Sequence, residues 1–388
     1  MLSAAFQAGV HSVGIDTVDV GVLPSGGIAR LVADTGAVLG AVITASHNPA
    51  PDNGIKLIDG RGYKLSDEAE DVIQARFEQG APWRPAVGPE VGQIFPMSDA
   101  EEHYLRLLRD RFPYSLRGIR LTLDGANGAA YSAAPALFES VGADVETIGT
   151  TPNGININEA VGATAPGALA SAANGRLGLA FDGDADRLIA VDEEGVVADG
   201  DVIMAVIATH LHAQDRLRNG MVVATVMSNL GFRKALNEAG ISLAETKVGD
   251  RYVLQTMREL DASMGGEQSG HVIFGDEAPT GDGLLTALKL LEVMAATGKP
   301  LSELRQVMTS YPQILRNVRV TDQSGLVDAE AIWNEVAAVE EELGADGRVL
   351  VRASGTEPVI RVMVEAAEDA AAQAATARLC DAVRGELG

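Results

Sequence analysis

The stretch Leu177-Gly178-Leu179-Ala180-Phe181-Asp182-Gly183-Asp184-Ala185-Asp186-Arg187-Leu188-Ile189-Ala190-Val191-Asp192 joins two short apolar runs through a turn that carries three carboxylates. Leu177–Phe181 reads as a strand, and Leu188–Asp192 alternates like one. Asp182, Asp184 and Asp186 stand at alternate positions, so they can converge on one hard cation that takes oxygen ligands. Gly183 lets the backbone turn tightly. Without a counter-ion, three close carboxylates repel one another at a cost in stability. A solvated acidic turn is the plainer alternative. The spacing also fits the first three ligands of a calcium EF-hand loop, with Glu193 at the twelfth position. Arg187 stands where that loop needs glycine, and a β pattern follows where a helix should exit, so the EF-hand is excluded. With water and phosphate oxygens completing the shell, Mg²⁺ is the better fit.

Outward from this stretch, β-branched runs alternate with amphipathic ones, which argues for α/β layers. Toward the N-terminus, strands are expected at Ser12–Gly21, Ala37–Ala45 (buried) and Gly54–Asp59. Helices are expected at Leu2–Ala8, stopped by Gly9, and at Gly26–Ala33 and Asp67–Gln79. Pro82, Pro85, Pro89 and Pro96 then read as a linker. Ser98 and Glu101 form a capping-box pattern ahead of a helix, and strands follow at Ile119–Leu123 and Asp144–Ile148. Beyond the quoted stretch the rhythm repeats. Helices Asp201–His212, Gly231–Ala239, Arg251–Leu260 and Gly283–Thr297 flank strands Val222–Val226 and Leu243–Lys247. The last part differs: strands Gln313–Thr321, Val349–Arg352 and Val359–Glu365 with two helices suggest a small α+β domain. The expected domains are 1–96, 97–197, 198–309 and 310–388. The first three share a rhythm that allows a structural repeat, although residue-level self-similarity is too weak to assert one.

Three further segments carry chemistry. Thr44-Ala45-Ser46-His47-Asn48-Pro49 ends a strand, where α/β sheets place ligands. Ser46 can act there as nucleophile or phosphoryl carrier, or the segment is an ordinary polar turn. Gly265-Gly266-Glu267-Gln268-Ser269-Gly270-His271 permits close backbone approach to a ligand. If it is extended, Glu267, Ser269 and His271 share one side and can bond sugar hydroxyls or an amine, with His271 as acid or base. Arg352-Ala353-Ser354-Gly355-Thr356-Glu357-Pro358, with Arg361 behind it, offers two guanidinium forks, hydroxyls and turn N–H groups to a phosphate. Gly249-Asp250-Arg251 can bind sugar or phosphate at a helix N-terminus, or serve as a plain cap. His210 and His212 have no partnering ligand, so no metal is expected there.

Composition bounds the partners. At roughly 100–200 residues per domain, 388 residues suggest two to four domains. Hydrophobic residues are 46% but aromatics only 4%, so the cores are aliphatic. A net charge of −24 and a pI near 4.6 argue against nucleic acid and anionic membranes. Solubility alone accounts for that charge; a phosphorylated substrate would need Arg, Lys, metal or backbone N–H groups to reverse the sign locally. The single cysteine, Cys380, cannot form an intrachain disulfide and reads as a buried thiol, which fits a reducing cytoplasm. No apolar run reaches the ~18 residues of a membrane span, and the N-terminus lacks signal-peptide features.

The four segments, in this order, resemble the α-D-phosphohexomutase superfamily, over nearly the whole chain from Thr44 to Met363. Within it, the Gly266–His271 and Arg352–Pro358 segments look most like the bacterial branch acting on glucosamine phosphates; phosphomannomutase/phosphoglucomutase relatives usually carry Met at Gln268. The resemblance implies three similar α/β mixed-sheet domains plus a C-terminal α+β domain around a central cleft. It implies that Ser46 is the phosphoserine, whose phosphate joins Asp182, Asp184 and Asp186 on Mg²⁺. Lys56 and His271 look like general acid/base groups. Glu267 and Ser269 look like sugar readers, with His47, Arg187, Gly249 and Arg251 flanking them. Arg352, Ser354, Gly355, Thr356 and Arg361 look like the clamp for the non-reacting phosphate. The implied reaction interconverts glucosamine 6-phosphate and glucosamine 1-phosphate through a bisphosphate, with a sugar 1,6-bisphosphate as activator, and feeds UDP-N-acetylglucosamine and cell-wall synthesis. The family's opening Gly-Thr-Asp-Gly-x-Arg-Gly segment has no match here, so a shortened first domain is expected. If this is the whole protein, an exposed sheet edge follows. Alternatives are a phosphomannomutase/phosphoglucomutase, an inactive phosphosugar-binding protein and a metal-dependent phosphatase.

Overall fold

The computed structural model describes residues 1–80, 83–354 and 357–388. The chain forms two compact units: Met1–Val226 with Ile241–Gln306, and Met227–Gly240 with Val307–Gly388.

In the first unit, strand Leu177–Phe181 is buried along its whole length. It pairs in parallel with Arg120–Asp124, which pairs in parallel with Asp144–Ile148. On its other side it turns back antiparallel into Leu188–Val191, which pairs with the short strand Val197–Ala198. A second sheet repeats this order. Ser242–Thr246, Met221–Thr225 and Met264–Gly266 run parallel, and Val272–Phe274 returns antiparallel. The repeat allowed by the sequence rhythm is therefore real for these two sheets. It places the loops 182–187 and 267–271 at equivalent hairpins.

The N-terminal part shares only that hairpin. Leu39–Thr44 pairs antiparallel with Gly54–Asp59, and Thr17–Asp19 pairs in parallel with Ile94–Pro96 in a separate ribbon. Several expectations are corrected here. Leu39–Thr44 is not a buried strand: only Gly40 and Val42 are buried, because the strand has one partner. Val38 beside it is 90% exposed. The proline-rich stretch is not all linker, since Ile94–Pro96 is a strand. The first helix runs through Gly9 to His11, where Gly9 meets no neighbouring atom. Helix Ala100–Arg109 starts after Asp99 with no side-chain cap, not from a capping box at Ser98.

Helix Gly283–Thr297 crosses this unit almost wholly buried. It is bounded by the Asp282 carboxylate on the Leu285 N–H and by Gly298 in the left-handed region. In the second unit, Gln313–Arg319, Val359–Ala366 and Gly347–Ala353 form an antiparallel sheet with Val359–Ala366 central. Helices Glu330–Leu343 and Asp369–Leu387 cover it and bury Ile332, Val362, Val364, Leu379 and Cys380. The buried thiol matches the sequence reading. Helix Leu230–Glu238 belongs to this unit: Asn229 bonds the backbone of Tyr311 at 2.9 Å, and Glu365 accepts from the Leu230 N–H at 3.3 Å. These sheets and helices make the fold an α/β multidomain one with an α+β C-terminal part.

Candidate active site and metal centre

The Ser46 loop joins the two strands of the N-terminal hairpin. Ser46 adopts φ +53°, uncommon for a residue with a side chain, and its N–H donates to Thr44 Oγ1 at 2.8 Å. Its Oγ lies 3.4 Å from His47 Nδ1. Asn158 Nδ2 donates to the carbonyls of both Ser46 and Asn48 at 2.8 Å. The Ser46 carbonyl also presses on Gly183, where a Cβ would overlap it. The Ser46 loop therefore sits directly on the carboxylate loop.

Asp182, Asp184 and Asp186 are buried, and one ligand atom from each falls within 4.8 Å of the others. Asp182 Oδ2 and Asp184 Oδ1 are buried without a hydrogen-bond partner. Orphaned anionic oxygens converging on one point suit a hard divalent cation, so the residues fit the metal that the sequence reading called for. Lys56 Nζ donates to Asp184 Oδ2 at 2.5 Å and Asp186 Oδ2 at 3.3 Å. Burial opposes its charge, but Asp186 and Asp184 outweigh that and hold Lys56 well above the ordinary lysine value. Burial, Asp186 and Asp184 together push Asp182 well above the carboxylate range. Burial opposes ionisation of Asp186, yet His271 and Lys56 pull it well below that range. Arg187 sends its backbone N–H to Asp182 Oδ1 at 3.1 Å, and its Nε lies 3.8 Å from Asp182 Oδ2. Burial and Arg187 lower His47 below the ordinary histidine value.

The third hairpin closes on the second through a bridge between Arg187 and His271 and the Leu188 N–H to the Gly270 carbonyl at 3.0 Å. Its loop 267–271 is not extended, so the condition for Glu267, Ser269 and His271 to share one side is not met. Glu267 and His271 close a tight turn, with Glu267 N–H on the His271 carbonyl and Gly270 N–H on the Glu267 carbonyl, both 3.0 Å. Glu267 Oε1 accepts from the Gly249 N–H at 3.0 Å, so that N–H already has a partner. Ser269 Oγ is buried and has no partner. Gln268 Nε2 donates to Asp199 Oδ2 at 3.2 Å, and Asp199 caps helix Gly200–Ala213. Gln268 therefore anchors the loop. His271 Nδ1 lies 3.4 Å from Asp186 Oδ1, and its Nε2 3.7 Å from Asp250 Oδ2. Burial opposes its charge, but Asp186 and Asp250 raise it above the ordinary histidine value. Arg251 points to Asp67 and to Glu70 Oε2 at 3.0 Å. Beside these groups lies a cavity of about 410 Å³ lined by Lys56, Lys64, Asp250, Arg251 and Tyr252.

In the second unit, Arg352 and Arg361 stand directly opposite on paired strands. Burial and Arg361 lower Arg352; among the described residues Arg361 Nε is buried without a hydrogen-bond partner, while its Nη2 lies 3.8 Å from Glu357 Oε2. Facing like charges are destabilising, and a bound anion relieves them. Ser354 is buried, its N–H on the Val359 carbonyl at 3.0 Å. Gly355 and Thr356 lie outside the described residues.

Sequence reading missed Asn158, Lys64 and a buried hub, and named Asp250 only as part of the Gly249–Arg251 segment. In the hub, Asp282 accepts from Tyr104 Oη at 2.9 Å and Arg30 Nε at 3.3 Å. Asp250 lay between two residues already singled out; the others carry no local signal. Helix starts at Ser25 and Gly283 each send an N–H, at 2.9 Å, to the carbonyls of Asp184 and Ala185.

The chain matches the phosphoglucomutase/phosphomannomutase family along its length: alpha/beta/alpha domain I over residues 1–82, domain II over 102–195, domain III over 199–311 and the C-terminal domain over 315–382. A phosphoglucosamine mutase of Arthrobacter sp. (strain FB24) is 51% identical, over 95% of this chain and 81% of the relative. One from Staphylococcus haemolyticus (strain JCSC1435) is 47% identical, over 100% of this chain and 87% of the relative. Among solved structures, a phosphoglucomutase/phosphomannomutase family protein from Burkholderia thailandensis matches with TM-score 0.80 at 24% identity, over 99% of this chain and 86% of that one. Aspergillus fumigatus N-acetylphosphoglucosamine mutase, in complex with GlcNAc-6P and magnesium, matches with TM-score 0.74 at 18% identity, over 99% and 94%. Both likenesses concern the fold. The converging hairpins and these matches together place the chain in the phosphoglucomutase/phosphomannomutase family of phosphohexomutases.

Proposed function

We propose that this mutase interconverts glucosamine 6-phosphate and glucosamine 1-phosphate through a phosphoserine at Ser46. The observation that carries the reading is the seating of the Ser46 loop on the Asp182–Asp186 loop, with Lys56 paired to Asp184 and Asp186 and His271 facing Asp186. Similarity to phosphoglucosamine mutases at 51% and 47% identity supports the choice of sugar.

The phosphoryl on Ser46 Oγ passes to O1 of glucosamine 6-phosphate. The Oγ–P bond breaks as the O1–P bond forms, and the O1 proton leaves to a base. The resulting 1,6-bisphosphate then returns its 6-phosphoryl to Ser46 Oγ, O6 takes a proton, and glucosamine 1-phosphate leaves. A Mg²⁺ ion held by Asp182, Asp184, Asp186 and the phosphoserine would neutralise charge on the transferring group. Lys56 and His271 are assigned to pass the proton released by the attacking oxygen to the leaving oxygen, Ser46 Oγ in the first transfer and O6 in the second. Glu267 and Ser269 are assigned to the sugar, with His47, Arg187, Gly249 and Arg251 around them. Arg352, Ser354, Gly355, Thr356 and Arg361 are assigned to the phosphate that is not transferred. A sugar 1,6-bisphosphate primes Ser46.

Intact mass of the purified chain, before and after glucose 1,6-bisphosphate with Mg²⁺, tests this. A gain of one phosphoryl is expected, lost in Ser46→Ala and prevented by a chelator. Turnover of the amino sugar exceeding that of glucose or mannose phosphates is expected in the same sample. No gain in mass from the folded chain overturns the carrier role.

A further inference from the structure

His271 is the most constrained ionisable side chain in the site. Its ring packs flat on Gly281, where any Cβ would overlap the imidazole. Its two nitrogens face two different carboxylates: Asp186 Oδ1 lies 3.4 Å from Nδ1, and Asp250 Oδ2 lies 3.7 Å from Nε2, a charge contact that leaves Nε2 buried without a hydrogen-bond partner. Asp250 opens helix Asp250–Glu259; its Oδ1 accepts from the Arg251 N–H at 2.9 Å, and Lys64 pairs with its Oδ2. Lys64 comes from the extension of the Ser46 hairpin, where it bridges to Ile58. Lys56, Asp186, His271, Asp250 and Lys64 thus form one row of alternating charge that joins all three hairpins.

The geometry points to Asp250 as a positioning residue: braced by Lys64, its carboxylate holds the Nε2 edge of His271 and so sets which nitrogen the ring turns toward the reacting phosphate. The arrangement follows the rule that a working imidazole is oriented by a carboxylate on its far nitrogen. Asp250 does not serve as the helix N-cap, because Gly249 holds that position. Nor does burial leave Asp250 neutral: His271 and Lys64 pull it below the ordinary carboxylate value against the desolvation that would raise it. A carboxylate that is ionised, paired and set against a ring nitrogen suits an orienting role.

This inference rests on the proposed mutase reaction, and the test separates the two. In the full-length Mg²⁺-loaded protein, Asp250→Asn is expected to lower kcat about 10–100-fold, with KM within about threefold, while Asp250→Glu recovers part of the loss. In ¹⁵N-histidine NMR, the His271 signals, assigned by Histidine loss in His271→Gln, are expected to shift in Asp250→Asn at fixed pH. Lys64→Met is expected to move them the same way by less, which keeps the test open if Asp250→Asn misfolds. Unchanged kcat and His271 signals in folded Asp250→Asn would overturn the assignment, as would a rise in KM alone, which marks a substrate contact. If wild type turns over no hexosamine phosphate, the proposed reaction fails, and the His271 signals still decide the brace.

Discussion

At the scale of single residues, the site depends on close backbone approach as much as on charged groups. Gly183 separates two acidic ligand candidates, and sequence reading gave it only the role of permitting a turn. In the structure its missing side chain is what lets the Ser46 carbonyl rest on the carboxylate loop. Gly183→Ala must move one loop off the other, and displacement on the order of 1 Å between reacting groups costs about 100-fold in rate. Gly183→Ala is therefore expected to keep its circular dichroism spectrum and lose at least ~10-fold in kcat, with slower phosphorylation of Ser46 by a bisphosphate. Wild-type kinetics in this variant would show that the contact is incidental. The residues bearing chemistry were legible because their types are restricted: few side chains bind a hard cation or carry a phosphoryl group. Lys64 and Asn158 were not, because an isolated lysine or asparagine has no pattern until the fold supplies its partner.

At the scale of elements, the strands and helices of the second and third sheets were readable, and Asp144–Ile148, Leu177–Phe181 and Gly283–Thr297 match to the residue. Their apolar runs are bounded by glycine, proline or capping carboxylates, so local chemistry and burial agree. The N-terminal strands were overread, because an apolar run is scored as buried whether or not a neighbouring strand covers it. The sequence left the loop 267–271 open between an extended run and a glycine turn, because tight turns depend on hydrogen bonds between residues that alternate in the same way in a strand. Its anchor leads to a further expectation. Gln268→Met removes the bond to Asp199 while leaving the backbone bond between Gly200 N–H and the Gln268 carbonyl. The loss of stability should be ~1 kcal/mol, with KM for the amino sugar raised more than kcat is lowered. Asp199→Ala should cost a similar ~1 kcal/mol through its cap, and the double variant should show less than the sum, since one contact is removed twice. Additive effects in thermal melts would separate the two residues.

At the scale of the whole molecule, a net charge of −24 sets a background that every local cation works against. Ion pairs such as Arg378 with Glu335 and Glu342, or Arg218 with Asp261 and Asp276, are exposed and contribute little each. Self-repulsion among the excess carboxylates should dominate at low ionic strength. Raising NaCl from about 10 mM to about 150 mM, which shortens the screening length to ~8 Å, is expected to raise Tm by roughly 2–4 °C. A fall in Tm would mean that the pairs outweigh the repulsion. Arg352 and Arg361 stand out against that background: two guanidiniums face each other on paired strands, a local like-charge pair that an anion would relieve.

The sequence alone determined the fold class, the carboxylate triad and the serine loop, because hydrophobic period and ligand chemistry are properties of neighbouring residues. Only the tertiary structure decided which loops meet, that Gln268 anchors its loop, that Arg251 is taken up by Asp67 and Glu70, and that Asp250 and Lys64 enclose His271. Those facts join residues far apart in the chain. Their energies come from burial and from charges brought within a few ångströms, and neither exists until the sheets have packed.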